Sequence, residues 1–447
     1  MNLGDLHAHL LAVPFTVLAL GFALQVVLAG PRGDAALRSV AEALGAGLAV
    51  GALYAINSWS YPVAAGLLGA AVLAWARSPE AAGRRPFAAV WLLLVLLASV
   101  VLVLPFWLDF NPAASGLGTV PDRQGFVAWA RDGALIYATV AWPLPAAYAG
   151  RLLGSRRPVR TGVWSAVAAV FALSLLAPID FAGVAALLGA LGVAVWAALG
   201  RQTSPAERYL WLLVAGGAAL LLAPELVYVR DEFAGGPFYR MNTVFKLGFQ
   251  AYLLLGLAAA IVLPWAGQWL GRRAWAVWAG VTAVLLLLGL VYPYAGSYAR
   301  RDGFSSSPTL DGLGWLRKSA PGDIAAIAWL RAHAPGDAVV LEAVGPDYSA
   351  FGHARISTFT GRPTVLGWAG HELQWKHDPG SRAADVKALY TTTDAAAART
   401  LLARYGVRYV VAGPIERTDY GDAGLAKWDQ LGRRVLDTRG TTVWALG

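Results

Sequence analysis

Four groups of residues in this chain have the types and spacing to do chemistry. The first is Gly4-Asp5-Leu6-His7-Ala8-His9, which opens an apolar run. A carboxylate and two imidazoles this close can hold a divalent metal such as Mg or Mn where the backbone is irregular, with Asp5 and His9 as candidate ligands. His7 and His9 also suit general base work near neutral pH. The alternative is a helix start, with Asp5 as the cap and the two histidines at an interface.

The second group is the stretch from Glu225 to Lys246, which carries Glu225, Arg230, Asp231, Glu232, Arg240, Asn242 and Lys246 between two apolar runs. Arg240 and Lys246 could hold a phosphate or pyrophosphate, a guanidinium fork and a point charge respectively. Glu225 and Asp231 could position a hydroxyl or a metal. A salt-bridge network that closes the loop is the competing reading. Lys246 and Gln250 stand inside an apolar segment, where an ionisable group costs roughly 2.5–3.5 kcal/mol to insert and so marks a functional hypothesis.

The third group is Asn57, Trp59 and Tyr61, polar and aromatic groups that could line a sugar site or form an ordinary interfacial belt. The fourth lies near the C-terminus: Glu342 at the end of an expected strand, Tyr348, and the loop with His371, Glu372 and Trp375. His371-Glu372 has no second histidine four residues on, so it is not a zincin motif. Local hydrogen bonding is the plainer role for any one of these residues. Two tryptophans, a histidine and a glutamate in one loop also suit carbohydrate.

The elements that must position these groups are set by composition. The 447 residues are 57% hydrophobic and 14% charged, with mean hydropathy +0.53. Ordinary soluble domains carry about 25% charged residues, so the pattern is that of an integral membrane protein. The net charge of +9 does not mark nucleic-acid binding. In the first 300 residues the basic groups sit at the ends of apolar runs, as membrane topology requires. The chain has no cysteine, which excludes disulfides and thiolate metal sites. The first apolar run is too long for a signal-peptide core and lacks a basic segment before it.

Spanning or nearly spanning runs fall at about 9–29, 38–56, 61–76, 87–106, 133–150, 161–178, 180–199, 208–227, 243–266 and 272–293, giving an expectation of about ten membrane helices. Alternate connections are basic (Arg32 and Arg38; Arg77, Arg84 and Arg85; Arg151 to Arg160; Arg201 and Arg208; Arg272 and Arg273). Placing those in the cytoplasm puts the N-terminus, the Glu225–Lys246 stretch and the C-terminal part outside the cell membrane. The expected fold is a polytopic α-helical membrane domain over 1–299 and a small soluble α/β domain over 300–447. In the latter, Asp323 is expected to cap a helix over 324–333 before a strand at 338–343. Asp394 is expected to cap a helix over 395–405, closed by Gly406 and followed by a strand at 407–412. A last hairpin turns at Arg439-Gly440.

Several stretches together resemble the YYY-type membrane proteins of bacteria and archaea, a family of unknown function. They are GDLHAH followed by LLAVPF, the Asn57-x-Trp59 hairpin, Tyr228 to Asp231, Arg240 to Lys246, His371 to Trp375, and Val410 to Arg417, which adds Glu416. That family is thought to be related to the GT-C glycosyltransferases, multispan enzymes that use polyprenyl-phosphate sugars. The resemblance therefore implies a GT-C-like fold and sugar transfer from a membrane-lipid donor to a glycan or protein acceptor. It implies Asp5 as the candidate carboxylate and Arg240 and Lys246 as phosphate holders. The sequence departs from the family's pattern at Ser60, where an aspartate usually follows the tryptophan. It also begins at the GDLH motif, so the resemblance implies the C-terminal portion of the family's pattern: a truncated gene model, a split protein with a separate N-terminal polypeptide, or a degraded, inactive copy. The alternative function is a non-enzymatic transporter or binder of lipid-linked glycans.

Overall fold

The computed structural model describes residues 7–31, 36–111, 114–121, 126–153, 181–201, 203–231, 233–301, 303–305, 310–347 and 352–447. Asp5, Glu232, Tyr348 and the apolar run 161–178 lie outside the described residues. The chain divides into two compact units: Met1–Leu108 with Pro112–Ser305, and Asp109–Asn111 with Ser306–Gly447.

The first unit is helical. Its helices are α1 (Ala8–Ala29), α2 (Ala36–Asn57), α3 (Ser60–Ala76), α4 (Arg85–Val101), α5 (Leu104–Asp109), α6 (Phe126–Ala141), α7 (Leu144–Leu153), α8 (Ala182–Ala198), α9 (Pro205–Leu226), α10 (Met241–Trp269) and α11 (Arg272–Arg300). Among the described residues, α1, α2, α9, α10 and α11 are the five long and apolar enough to cross a membrane, judged by length and composition; α3, α4 and α8 are shorter apolar helices. Two runs expected to be continuous are broken. The 87–106 run ends as α4 at Val101 and resumes as α5, with Pro105 in its first turn. The 133–150 run splits into α6 and α7 around Trp142-Pro143. Proline lacks the N–H that the ladder needs and its ring clashes with the preceding turn, so each break sits where the sequence forbids an easy continuation. A strand pair that the sequence reading missed, β1 (Leu117–Thr119) with β2 (Val227–Val229), runs antiparallel within this unit.

Small residues set the helix spacing. On α2, a Cβ added at Gly47 would meet Ala98 and the Val95 carbonyl of α4, and one added at Gly51 would run into the Ser99 backbone. Glycines four apart let two helix backbones approach closely where apolar side chains alone provide little drive to associate in lipid. Gly51→Val should therefore destabilise the unit by about 1–3 kcal/mol, because the obstacle is backbone. Gly66→Ala, with nothing within 4 Å of the new Cβ, should not. Thermal unfolding in detergent checks the pair, and equal midpoints would refute the close-packing account. Arg208, read from sequence as a loop charge, is buried at 2% exposure. Its guanidinium donates to the Ala198 and Gly200 carbonyls and caps the C-terminus of α8.

The second unit holds a four-stranded mixed sheet of β3 (Val339–Leu341), β4 (Val407–Ala412), β5 (Gly432–Thr438) and β6 (Thr441–Leu446), in the order β3-β4-β6-β5. The β3–β4 pair is parallel; β4–β6 and β5–β6 are antiparallel. Its helices are α12 (Gly314–Ser319), α13 (Pro321–His333), α14 (Arg355–Thr360), α15 (Ala369–Gln374), α16 (Arg382–Thr391), α17 (Ala395–Tyr405), α18 (Pro414–Tyr420) and α19 (Trp428–Leu431). Side chains alternate across the sheet with period two. Leu341, Val410 and Trp444 join a core with Tyr390, Leu402 and Trp428. Val340, Val411 and Val443 face the other way, toward Ile327, Leu330 and Ile356.

Local signals set α17 and β4 at the expected residues. Asp394 accepts from the Ala396 and Ala397 amides, and Gly406 closes the helix at φ 60°. Asp323 is a correction. It does not cap α13, which starts at Pro321; its carboxylate is buried and accepts from Arg355 and Thr441 instead.

Candidate functional site

Several of the polar residues singled out in the first unit are brought near one another by three segments: the start of α1, the first turns of α10 and the α2–α3 hairpin. At the start of α1, His7 and His9 stack with centroids 4.9 Å apart, and their Nδ1 atoms lie 2.9 Å from each other. The His9 backbone N–H also points at His7 Nδ1, at 3.4 Å. A backbone N–H can only donate, so His7 Nδ1 is the acceptor and His9 Nδ1 carries the shared proton. In a neutral ring this leaves His9 Nε2 as a bare lone pair. That atom is buried and has no hydrogen-bond partner. The arrangement can accept a proton from a donor that reaches it.

From α10, Phe245 and Phe249 pack edge-on against His9, with centroids 5.1 and 5.5 Å away. One face further round, Lys246 places Nζ 4.9 Å from the centre of the Trp59 ring. This is a cation over an aromatic face, worth about 0.5–2 kcal/mol depending on desolvation. One turn on, Gln250 Nε2 donates to Ser60 Oγ at 2.7 Å. From the α2–α3 hairpin, Asn57 Nδ2 donates to the same Ser60 oxygen at 3.0 Å. Asn57, Ser60 and Gln250 are 7%, 0% and 1% exposed. Beside the hairpin, Tyr54 stacks on Trp107 with centroids 3.6 Å apart, and Tyr61 meets Trp107 edge-on.

The rest of the Glu225–Lys246 stretch closes on itself. Arg240 Nη1 donates to the Pro224 carbonyl at 3.1 Å and to Glu225 Oε2 at 3.2 Å, capping the end of α9 and pairing with its last carboxylate. Asp231 accepts from Asn242 Nδ2 at 2.8 Å and from the Phe233 amide. Thr243 Oγ1 accepts from the Val229 amide, tying β2 to the first turn of α10. Arg230 is exposed, and its backbone extends the β1–β2 pairing through Gly116 and Ser115. Arg240 thus bonds the end of α9, while Lys246 lies over the Trp59 ring. Six residues of helix put them about 9 Å apart along the axis. The loop-closing reading describes the contacts of Glu225, Asp231, Arg240 and Asn242 given above.

In the second unit, Glu342 and Glu416 are both fully buried. Glu342 accepts from the Ile356 and Ser357 amides at 2.7 and 2.8 Å. Burial pushes its carboxyl above the usual glutamate range, against the pull of Arg355. Glu416 receives both Arg355 Nη1 and Nη2, at 3.0 and 2.8 Å, and the Ala343 and Gly413 amides. Burial acts against its ionised form, but Arg355 and these bonds outweigh it and hold the carboxyl below the usual range. These two glutamates hold β3, α14 and α18 together; their oxygens face protein. His371 on α15 and Trp375 just after it are exposed, and Glu372 Oε2 lies 3.2 Å from His377 Nδ1.

Among the described residues no group of three or more His, Asp or Glu side chains gathers as a metal-ligand set. His7 and His9 spend one nitrogen each on one another.

The family described as "Uncharacterized membrane protein (DUF2298)" matches residues 1–255. The chain belongs to this family. The matched region contains His7, His9, the Asn57–Ser60 hairpin, the whole Glu225–Lys246 stretch and Gln250. No curated protein matches the chain. Among solved structures it is similar to the Archaeoglobus fulgidus oligosaccharyltransferase in complex with Zn and sulfate, at 17% identity and TM-score 0.40, covering 98% of this chain and 55% of that one. It is also similar to the archaeal oligosaccharyltransferase AglB from Archaeoglobus fulgidus in complex with an inhibitory peptide and a dolichol-phosphate, at 15% identity and TM-score 0.38, covering 99% and 57%. The chain spans a little over half the length of these proteins.

Proposed function

We propose that this chain is a GT-C-like, YYY-type membrane glycosyltransferase, or the C-terminal portion of one. It would transfer a sugar from a polyprenyl-phosphate donor at the outer face of the cell membrane. The observation that carries the reading is the meeting of Lys246, Trp59 and the His7–His9 pair at one end of an apolar helix bundle. A phosphate carried on an apolar tail needs a cation at the end of apolar helices, and a sugar ring suits the face of a tryptophan. Loop-charge alternation over the ten expected spans supports an outside location for this end and for a soluble 300–447 domain.

In the reaction, the bond between the sugar's anomeric carbon and the phosphate oxygen breaks as the acceptor nucleophile bonds to that carbon. The acceptor's proton passes to a base, for which Asp5 and His9 are the candidates. The polyprenyl phosphate leaves with its charge held by Lys246. Arg240, paired with Glu225, holds the loop beside the site.

The test is transfer from labelled polyprenyl-phosphate sugars in source-cell membranes, where any partner polypeptide is present. Wild type should release label to an acceptor in a lipid-dependent way, and Lys246→Met should reduce this by about tenfold or more, the scale of a lost charge-assisted contact. Asp5→Ala and His9→Ala should separate the two candidate bases, the true base being the one whose loss abolishes transfer. Absence of lipid-dependent transfer in such membranes would sink the enzyme reading. Donor binding without transfer would support a second reading, a non-enzymatic binder or transporter of lipid-linked glycans. That reading is favoured by the engagement of Glu225 and Asp231 with Arg240 and Asn242.

A further inference from the structure

Two hydrogen bonds at the edge of the cluster touch no charged group, yet they fix where the charged group stands. Ser60 Oγ accepts from Asn57 Nδ2 at 3.0 Å and from Gln250 Nε2 at 2.7 Å. All three side chains are more than nine-tenths buried. The first bond closes the α2–α3 hairpin on itself. The second crosses 190 positions of sequence to α10. On α10, Gln250 lies one turn beyond Lys246 on the same face; in the hairpin, Ser60 directly follows Trp59. This bond therefore ties together the two segments that carry the cation and the ring.

We infer that Ser60 and Gln250 are positioning residues that hold the Lys246 ammonium against Trp59, where it can meet a phosphate-bearing lipid. The inference rests on the reading of Lys246 as a phosphate group's partner.

Burial supports a role beyond ordinary packing. Gln250 Oε1 is buried without a hydrogen-bond partner, so the amide is held by its nitrogen end alone. An apolar residue of similar length would avoid an orphaned acceptor, which is destabilising when buried. A buried polar side chain kept at that cost, one turn from the cluster's lysine, fits a part whose value is in the geometry it imposes. Ser60 is suited to the task because its hydroxyl oxygen has two lone pairs and can accept from both amides at once.

The test measures binding of a short-chain polyprenyl phosphate to the full chain in nanodiscs, with the matching polyprenol as the uncharged control. Gln250→Leu should weaken phosphate-lipid binding by about five- to tenfold, the scale of one lost hydrogen bond acting through a charge contact. The polyprenol should bind as it does to wild type. Ser60→Ala should repeat the effect from the other side and Ser60→Thr, which keeps the oxygen, should restore it; this pair also serves if Gln250→Leu does not yield folded protein. The deciding readout is coupling. If Gln250 acts through Lys246, Lys246→Met with Gln250→Leu should bind no worse than Lys246→Met alone, within about twofold. Additive losses, or equal losses for phosphate and polyprenol, would overturn the positioning role and leave the phosphate reading standing. Unchanged phosphate binding in Lys246→Met would overturn that reading, and the inference with it.

Discussion

Arg355→Met should cost the second unit about 3–5 kcal/mol, the usual penalty for removing one member of a buried ion network and stranding its partners. The Arg355 guanidinium is fully buried between two carboxylates. Nε donates to Asp323 at 2.6 Å, and the two terminal nitrogens donate to Glu416. Burial alone would lower its pKa, but Glu416 and Asp323 outweigh that and keep it well above the ordinary arginine value. With methionine in place, both carboxylates must be buried without a counter-charge or take up protons, and Glu416 still anchors the Ala343 and Gly413 amides. Hydrogen exchange on the full chain reads this directly. Protection of β4 and β6 should fall by about two to three orders of magnitude, while peptides from α9 and α10 keep theirs. Arg355→Lys should not rescue, since an ammonium cannot reproduce a fork bonded to two partners. Arg355→Met combined with Asp323→Asn and Glu416→Gln should recover part of the loss, because neither of the carboxylates bonded to Arg355 is then left charged. Wild-type protection in the single variant would show the network to be dispensable.

That network also shows where reading the sequence stops. Asp323 stands before a helical pattern and looks like a cap, and nothing nearby in the chain contradicts this. Its partner is 32 residues away, and the bond forms only once α14 folds against α13. Asp394 has the same local appearance and does cap its helix, because no distant cation claims it. The α17–β4 boundary was legible since helix cap, terminating glycine and apolar strand lie together. The β1–β2 pair was not, since three-residue strands more than a hundred positions apart carry almost no periodicity.

The site divides in the same way. The concentration of charge between Glu225 and Lys246 was visible, and so was the oddity of Lys246 and Gln250 in an apolar run. Which of those charges would close a loop and which would face other elements depended on partners in α9 and in the hairpin. Ser60 stood out only as the place where the resembled family usually has an aspartate, which does not point to Gln250 as its partner, and nothing local in the sequence sets Phe245 and Phe249 against His9. The i, i+4 spacing of Lys246 and Gln250 was the one local hint that both face the same neighbour.

Stability of the second unit should rise with pH between about 8 and 10.5, by up to about 3 kcal/mol from Lys427 alone. Lys427 is 3% exposed. Its ammonium donates to the Gly424 carbonyl at 2.6 Å and sits 4.0 Å from the Trp428 ring centre. Burial lowers its pKa from 10.5 to about 8. Below pH 8 both folded and unfolded chains carry the charge, and the folded state bears the full cost of burying it. Between the two values the folded chain gives up the proton first, so the unfolded state binds more protons and stability rises with pH; above 10.5 the gain is complete. Tyr390 and Tyr420 act in the opposite sense, since burial raises their pKa values and the unfolded chain ionises first. The whole-protein profile therefore mixes both trends, and the difference between wild type and Lys427→Met isolates the lysine. That difference, from hydrogen-exchange opening energies of β4 and β6 peptides at each pH, should be constant below pH 8 and shift toward wild type by about 3 kcal/mol as pH reaches 10.5. A difference that stays flat across the window would mean that the Gly424 carbonyl and the Trp428 ring compensate the buried ammonium in full, and that it titrates as an exposed lysine does.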